Sequence, residues 1–452
     1  MVAKDIGNRP PRATGILRSA GLTPFRQILD PAAFVRARAK PWAAQTVLIP
    51  EVVFWLMALV ALGSGSFTGA LVEFCAAVPM AGLAHATEEA FCQARGKLAL
   101  RFFLNLFADL LARYRLAVGP RFLWKGLRLL GVDGMDINLP QHPHVRRLFP
   151  PAGNQHGLRG RPQARLVGLV GLLDGICYAF RWTSSATSEQ VSARQLFKSL
   201  GPGDLLLGDR NFPDLHSFAL LLSRGAHFLF HLPSNRFLKH RRLPIAGGHG
   251  DEWRVELVWP RPLREAFAEG PATLQLRVLQ YQRPGFRTSW LITSLLDAQT
   301  FGYPELVELY HQRWRQETFH REWKYSLQLS NLRSHSGKGL LKEVLVQLTM
   351  NNAVRWIMAE SAGPADRPVD LQFLQVKRLT LAAVATMAAA NPYRLLALYH
   401  ELLSAVGRQR IRVRPGRSYP RRWDTCGRPK GHGRVAQPAR TATPKKHCVI
   451  EI

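Results

Sequence analysis

Four residues in the segment YHQRWRQETFHREWK carry groups suited to phosphate chemistry: Tyr310, Arg313, Glu317 and Lys324. They stand at relative positions 0, 3, 7 and 14. At about 100° per residue, a helix gathers them into an arc of about 60°. One face then offers a phenol, a guanidinium, a carboxylate and an ammonium. Arginine grips phosphate bidentately, lysine adds a point charge, and tyrosine donates a hydrogen bond. A carboxylate set among such groups suits metal-assisted cleavage of a nucleic-acid backbone. There, two hard cations roughly 3.5–4 Å apart act on the attacking and leaving oxygens. An exposed amphipathic helix with ordinary charge pairing fits the same spacing.

Two further acids close apolar runs. Asp133 stands in GVDGMD and Asp209 in LLLGDRNF. Carboxylates at strand ends are displayed at the rim of a sheet, where ligands bind in α/β folds, although aspartate also favours ordinary turns. Asp136 competes with Asp133 for the first position. Asp133 is preferred because it directly follows the apolar run and precedes Gly134. Arg210, beside Asp209, suits either DNA or an acidic partner. His142, His144 and His156 share a loop with Arg146, Arg147, Arg159, Arg161 and Arg165. A basic loop facing DNA fits these residues better than a histidine metal site, and a solvated loop fits them too. Glu189 reads as serving the start of its helix, and Trp314 and Trp323 as packing rings.

The elements that must position these groups follow from hydrophobic period. Residues 1–125 read as helices, and EEAFCQARGKLALRFFLNLF has apolar residues at helical spacing. This region is a candidate for binding DNA ends, and equally a plain structural bundle. From residue 126 the texture alternates. LRLLGVDGMDINLP reads as a buried strand entering a turn, and ARLVGLVGLLDGICYAFRWTS as two strands joined at Asp174-Gly175. SEQVSARQLFKSL and PDLHSFALLLSRG read as helices, DLLLGDRNF and HFLFHLP as strands. WRVELVW, TLQLRVLQY and SWLITSLL make residues 235–300 strand-rich. YPELVELYHQRWRQETFHREWKYSLQL reads as one long helix with Pro304 in its first turn. The divisions expected are a helical region to 125, an α/β catalytic domain over 126–355, C-terminal helices over 356–405 suited to dimerisation, and a tail over 406–452.

The chain of 452 residues carries 61 Lys and Arg against 31 acids, a formal net charge of +30. Such an excess repels itself unless a polyanion offsets it, and nucleic acid is the common one. Between Arg408 and Lys446 lie thirteen Lys or Arg and one acid, Asp424. This Gly- and Pro-containing stretch reads as a poorly ordered basic tail. Five cysteines without CxxC spacing speak against a disulfide framework or zinc ribbon and for a reducing compartment. No apolar signal segment is visible, and the run Val52–Gly63 is too short to span a bilayer. A cytoplasmic, nucleoid-associated protein with no membrane partner is expected.

The spacing Y-x2-R-x3-E-x6-K resembles the signature of one large branch of bacterial insertion-sequence transposases of the DDE class. VDGMDINLP is similar to the family's first-aspartate segment and DRNF to its second, with Met135 for the usual Ser or Thr and Asn211 for the usual Gly. Asparagine tolerates positive φ, so the turn can survive that change. The likeness covers about residues 85–420. It implies an α/β fold: an RNase H-like core, a mixed five-stranded sheet with helices on both faces, a β-rich insertion before the glutamate, and flanking helical regions. It implies Mg²⁺-dependent cleavage and strand transfer on double-stranded DNA, with two ions and Mn²⁺ as a substitute. Asp133, Asp209 and Glu317 would be the metal ligands, while Tyr310, Arg313 and Lys324 would hold the terminal inverted repeat. Trp290, in SWLITS, matches a tryptophan that stacks on a base flipped from the duplex; a core tryptophan fits that position equally well. Relatives often pass through a hairpin at the element end, and synapsis implies a homodimer. A catalytically silent DNA-binding descendant and an RNase H-like nuclease that cuts without joining are the alternatives.

Overall fold

The computed structural model of the chain describes residues 28–411, apart from residues 30, 39–41, 43–45, 78–81, 152–159, 234–241, 246, 267–272 and 284–287. The basic tail from residue 412, the first 27 residues, His156 and Arg159 lie outside the described residues.

Apolar residues at helical spacing build the N-terminal region: α1 (Pro31–Arg38), α2 (Pro50–Leu59), α3 (Phe67–Ala77), α4 (Glu88–Lys97) and α5 (Leu100–Ala117). α5 buries Phe102, Phe103, Leu106, Phe107, Leu110, Leu111 and Tyr114. Full burial of one such apolar side chain contributes about 1.5–3 kcal/mol. The segment that reads as continuous from Glu88 is broken, because Leu98 and Ala99 are extended. Lys342 stabilises the break: its Nζ donates to the carbonyls of Arg95 (3.0 Å) and Gly96 (3.3 Å) at the end of α4.

The α/β region runs β1 (Arg128–Asn138), α6 (Pro143–Leu148), β2 (Gln163–Gly171), β3 (Cys177–Ser184), α7 (Glu189–Phe197), β4 (Asp204–Gly208), α8 (Leu215–Ser223) and β5 (His227–Leu232). β2 and β3 form the expected hairpin, and its turn holds Gly175 at φ +74°. Leu205–Leu207 and Phe228–Phe230 are buried throughout, as parallel central strands require. Then follow β6 (Arg242–Pro244), β7 (Glu252–Val258), α9 (Arg261–Ala266), β8 (Thr273–Tyr281) and β9 (Ser289–Thr293). The sheet order is β3-β2-β1-β4-β5-β9-β8-β7-β6. β1, β4 and β5 are parallel, while β2 and β3 are antiparallel additions. This is the mixed five-stranded core that the resemblance implies. The strand-rich insertion is not a separate body. β9 pairs with both β5 and β8, which covers the edge of β5 and extends one sheet to nine strands.

The signature segment is less uniform than its spacing suggests. α10 (Tyr303–His311) passes through a 3₁₀ turn at Gln312–Trp314 into α11 (Arg315–Arg321), and then into a π turn at Glu322–Ser326. α12 (Gly337–Ser361), α13 (Phe373–Ala389) and α14 (Leu395–Gly407) follow, and α12 runs across the boundary expected at 355/356. Tyr114 of α5 meets Trp356 of α12 edge-on at 5.6 Å, and Phe107 meets Phe180 of β3 at 5.5 Å. The N-terminal helices, α12 and the sheet thus share one core. Among the described residues no single helix is long and apolar enough to cross a membrane.

Candidate active site

The site begins where two parallel strands part. β1 pairs with β4 only from Arg128↔Asp204 to Gly131↔Leu207, but with β2 out to Asn138↔Gln163. Beyond Gly131 one edge of β1 is therefore open. Asp133 lies on this edge, within the strand rather than at its end, because β2 holds the chain extended through Asn138. Asp209 follows β4 directly. The two aspartates thus flank the crevice that opens where the parallel pairing of β1 and β4 ends, the kind of place where α/β sheets bind ligands. Asp209 Oδ1 accepts from the Asn211 amide at 2.8 Å, closing an Asx turn. Asn211 does not adopt positive φ, so the left-handed backbone considered for it is not used. Asp136 faces away from this point and is held bidentately by Arg165 at 2.9 and 3.1 Å.

Glycines bring helices onto β1 from both faces. A Cβ at Gly131 would stand 2.6 Å from Gln316 Oε1 of α11. A Cβ at Gly168, the β2 partner of Asp133, would stand 3.1 Å from the Trp323 ring. On the other face, a Cβ at Gly134 would stand 2.5 Å from Glu189 Oε1 at the start of α7. The Gly134 amide donates to Asp133 Oδ1 at 2.9 Å and also to Glu189. One amide at an unpaired edge thereby serves two carboxylates.

The charges here are mutually repulsive. Burial pushes the Asp133 carboxyl up to about 7; the carboxylates of Glu189 and Asp209 add to this, while the Gly134 amide and Arg313 oppose it. Glu189 is raised as well, by burial and then by Asp209. Like-charged oxygen donors held together in this way fit a hard divalent cation. Glu317 is turned elsewhere: it is 46% exposed, with Oε1 3.8 Å from Arg313. Among the described residues no group of three His, Cys, Asp or Glu side chains stands close enough to hold an ion. Asp133 feels the charges of Asp209 and of Arg313, and Glu317 lies beside Arg313.

α12 fixes the far end of the signature segment. Arg355 pairs with Glu322 in the π turn, and Trp323 Nε1 donates to Asn351 at 3.1 Å. Asn352 meanwhile bonds both backbone groups of Cys177 in the β2–β3 hairpin, at 2.8 and 2.9 Å. Trp323 packs as expected. Trp314 does not: it is half exposed, carries the Arg313 guanidinium 5.5 Å above its ring, and lines a cleft of about 400 Å³. Asp209, Arg210, His231, Tyr310 and Arg313 line the same cleft. Tyr310 is buried there, which raises its phenol. The Arg313 side chain is only 13% exposed. Lys324 stands apart in the π turn, beside His320. Trp290 is not among the lining residues; its neighbour Ser289 is. Successive strand residues face opposite ways, and Trp290 packs against Trp253 at 5.8 Å, with Arg242 over both rings.

Two site residues escape a reading of the sequence. Glu189 is one; the glycine directly after Asp133 was its only signal. His320 is the other, with Nδ1 3.9 Å from Asp133 Oδ2. Burial, aided by Lys324, holds His320 down at about 4, so it is neutral where Asp133 titrates and forms no charge pair with it. Its position four residues after Gln316, on the face against β1, was the available signal.

A mixed sheet with one acid on the edge of β1 that β4 leaves open, a second directly after β4, and a basic helix beside them, defines a polynucleotide-processing enzyme of the DDE class. The family profile of the transposase DDE domain matches residues 124–352, and the chain belongs to that family, whose members cleave DNA and transfer strands. The transposase InsG for insertion sequence element IS4 of Escherichia coli (strain K12) is 26% identical over 336 residues, covering 74% of this chain and 75% of that protein. A cryo-EM structure of the piggyBac transposase synaptic complex with hairpin DNA has 11% identity, 91% and 90% coverage of the two chains, and a TM-score of 0.43.

Proposed function

We propose that this transposase binds the terminal inverted repeats of its own insertion sequence and moves it by cut-and-paste, in a magnesium-dependent reaction at Asp133, Asp209 and Glu317. The observation that carries the assignment is the pair of aspartates at the parting of β1 and β4, with the charge of Arg313 between them and Glu317. Bound magnesium, two ions with manganese as a substitute, supplies Lewis-acid stabilisation of charge at the attacking and leaving oxygens. Asp133 and Asp209 would hold the cations from the sheet, and Glu317 would be the third ligand once turned from Arg313. Arg313, freed from that contact, grips a phosphate of the element end; Tyr310 and Lys324 add a hydrogen bond and a point charge. Arg210 tracks the backbone along the cleft rim. Trp290, which lies outside the cleft lining with Arg242 over its ring, would stack on an extruded base once Arg242 gives way. Water opens the phosphodiester to leave a 3′-OH, which then attacks a second phosphodiester in strand transfer. Two protomers act together in synapsis.

The test uses purified full-length protein with DNA bearing the element ends. Asp133→Ala, Asp209→Ala and Glu317→Ala each abolish Mg²⁺-dependent nicking while end binding persists. Normal nicking by any one of them removes that residue from the site. Free ends without joined products would instead indicate a nuclease.

A further inference from the structure

We propose that Glu189 is a fourth carboxylate of the catalytic site, holding a divalent cation jointly with Asp133 across the amide of Gly134. The inference rests on the triad reading above and extends it.

The position is built for a close approach. Because β4 leaves β1 after Gly131, the edge at Gly134 is not claimed by a strand partner, and its amide is shared by the two carboxylates. Any side chain at residue 134 would collide with Glu189, since a Cβ there lies 2.5 Å from Oε1, 3.1 Å from Cδ and 3.2 Å from Cγ. An acid in the first turn of a helix ordinarily faces that helix's own free amides. Glu189 reaches across to β1 instead. The counter-charge that Glu189 feels, Arg165, is already committed to Asp136 and to the Thr187 carbonyl at 2.9 Å. Facing Asp133 from α11, His320 sets Nδ1 3.9 Å from its Oδ2 and leaves its buried Nε2 without a hydrogen-bond partner.

Charge balance gives the arrangement a purpose. Two divalent cations bring four positive charges, and three carboxylates answer only three of them. Glu189 supplies the fourth, so the site can be loaded before the DNA phosphate arrives. Asp133 and Glu189 approach from opposite faces of the sheet and meet only at its opened edge. This divides the ligands between α7 and the strands and ties cation binding to the seating of α7.

The experiment is a Mn²⁺ titration of the full-length protein without DNA, followed by calorimetry and by water-proton relaxation. Wild type binds. Asp133→Asn loses the tight phase. Glu189→Gln weakens it by roughly 10–100-fold, the range for removing a group that supports a metal site. Gly134→Ala weakens it in the same direction, because its methyl displaces the Glu189 carboxylate, and adds little on top of Glu189→Ala. Thermal unfolding in EDTA reports whether each variant folds, and Gly134→Ala decides the matter if Glu189→Gln does not. Wild-type affinity in Glu189→Gln, with binding lost in Asp133→Asn, overturns the proposal and spares the triad. Wild-type affinity in Asp133→Asn sinks the triad reading itself. Absence of Mn²⁺ binding by wild type without DNA also overturns the proposal.

Discussion

Replacing Asp133 by Asn removes a charge that the metal-free fold accommodates at a cost. The Asp133 carboxyl is pushed up to about 7 by burial and by Glu189 and Asp209, against an ordinary value of 3.8. Between those two values the folded protein holds a proton that the unfolded chain has released. Stability therefore falls as pH rises through this window, and is flat above about 7 and below about 4. At about 1.36 kcal/mol per pH unit the whole window amounts to about 4 kcal/mol, and the part from pH 5 to pH 7 to about 3 kcal/mol. The side chain is 22% exposed, so most of this survives solvent screening. At roughly 2.1 cal/mol/K per residue, a chain of this length unfolding as one unit shifts by roughly 3 °C. The assay is thermal unfolding in EDTA at pH 5 and pH 8, followed by circular dichroism. Asp133→Asn gains on wild type by that amount between the two pH values. Adding Mn²⁺ at pH 8 then favours wild type, because a ligand that binds only the folded state stabilises it. An unchanged gap across pH refutes the reading of Asp133 as a charge held under strain until a cation arrives.

Gly131→Ala sets a methyl within 2.6 Å of Gln316 Oε1 and 2.9 Å of Leu172 Cδ2, so these buried side chains must shift. A loss of about 1–3 kcal/mol in urea unfolding is expected, together with slower nicking. Glu252 and Arg277 form an ion pair with both side chains fully buried, so Glu252→Ala costs about 3–5 kcal/mol by stranding the guanidinium. The double change to methionine recovers most of that loss, and denaturant midpoints of the two variants decide. Arg313→Ala weakens binding of end DNA by roughly 10–100-fold, the loss of one charge-assisted phosphate contact of about 1.4–3 kcal/mol, read by gel shift at fixed salt.

Local pattern was sufficient for much of this molecule and failed at definable points. The buried runs Leu205–Leu207 and Phe228–Phe230, the hairpin at Asp174-Gly175 and the acid after β4 are all set by short-range period and turn chemistry. Asp133 read as a strand-end acid because nothing nearby shows that β2 carries β1 on to Asn138. The signature segment reads as one long helix, whereas Arg355 and Asn351, roughly thirty residues away, bond to its last turn, which is in π form. The continuity of nine strands depends on β9 choosing β5 as well as β8. Glu189 was hidden for the same reason. Its neighbours in sequence, Ser188 and Gln190, suit a helix start and nothing more. What gives it a role is an absence on another element, the missing side chain of Gly134 at an edge that β4 has vacated. A carboxylate's chemistry is legible from its type, but the partner it faces is decided by where strands part. Asp209, directly after β4, is legible from local pattern, whereas the neighbours of Asp133 and Glu189 are set by where β4 leaves β1.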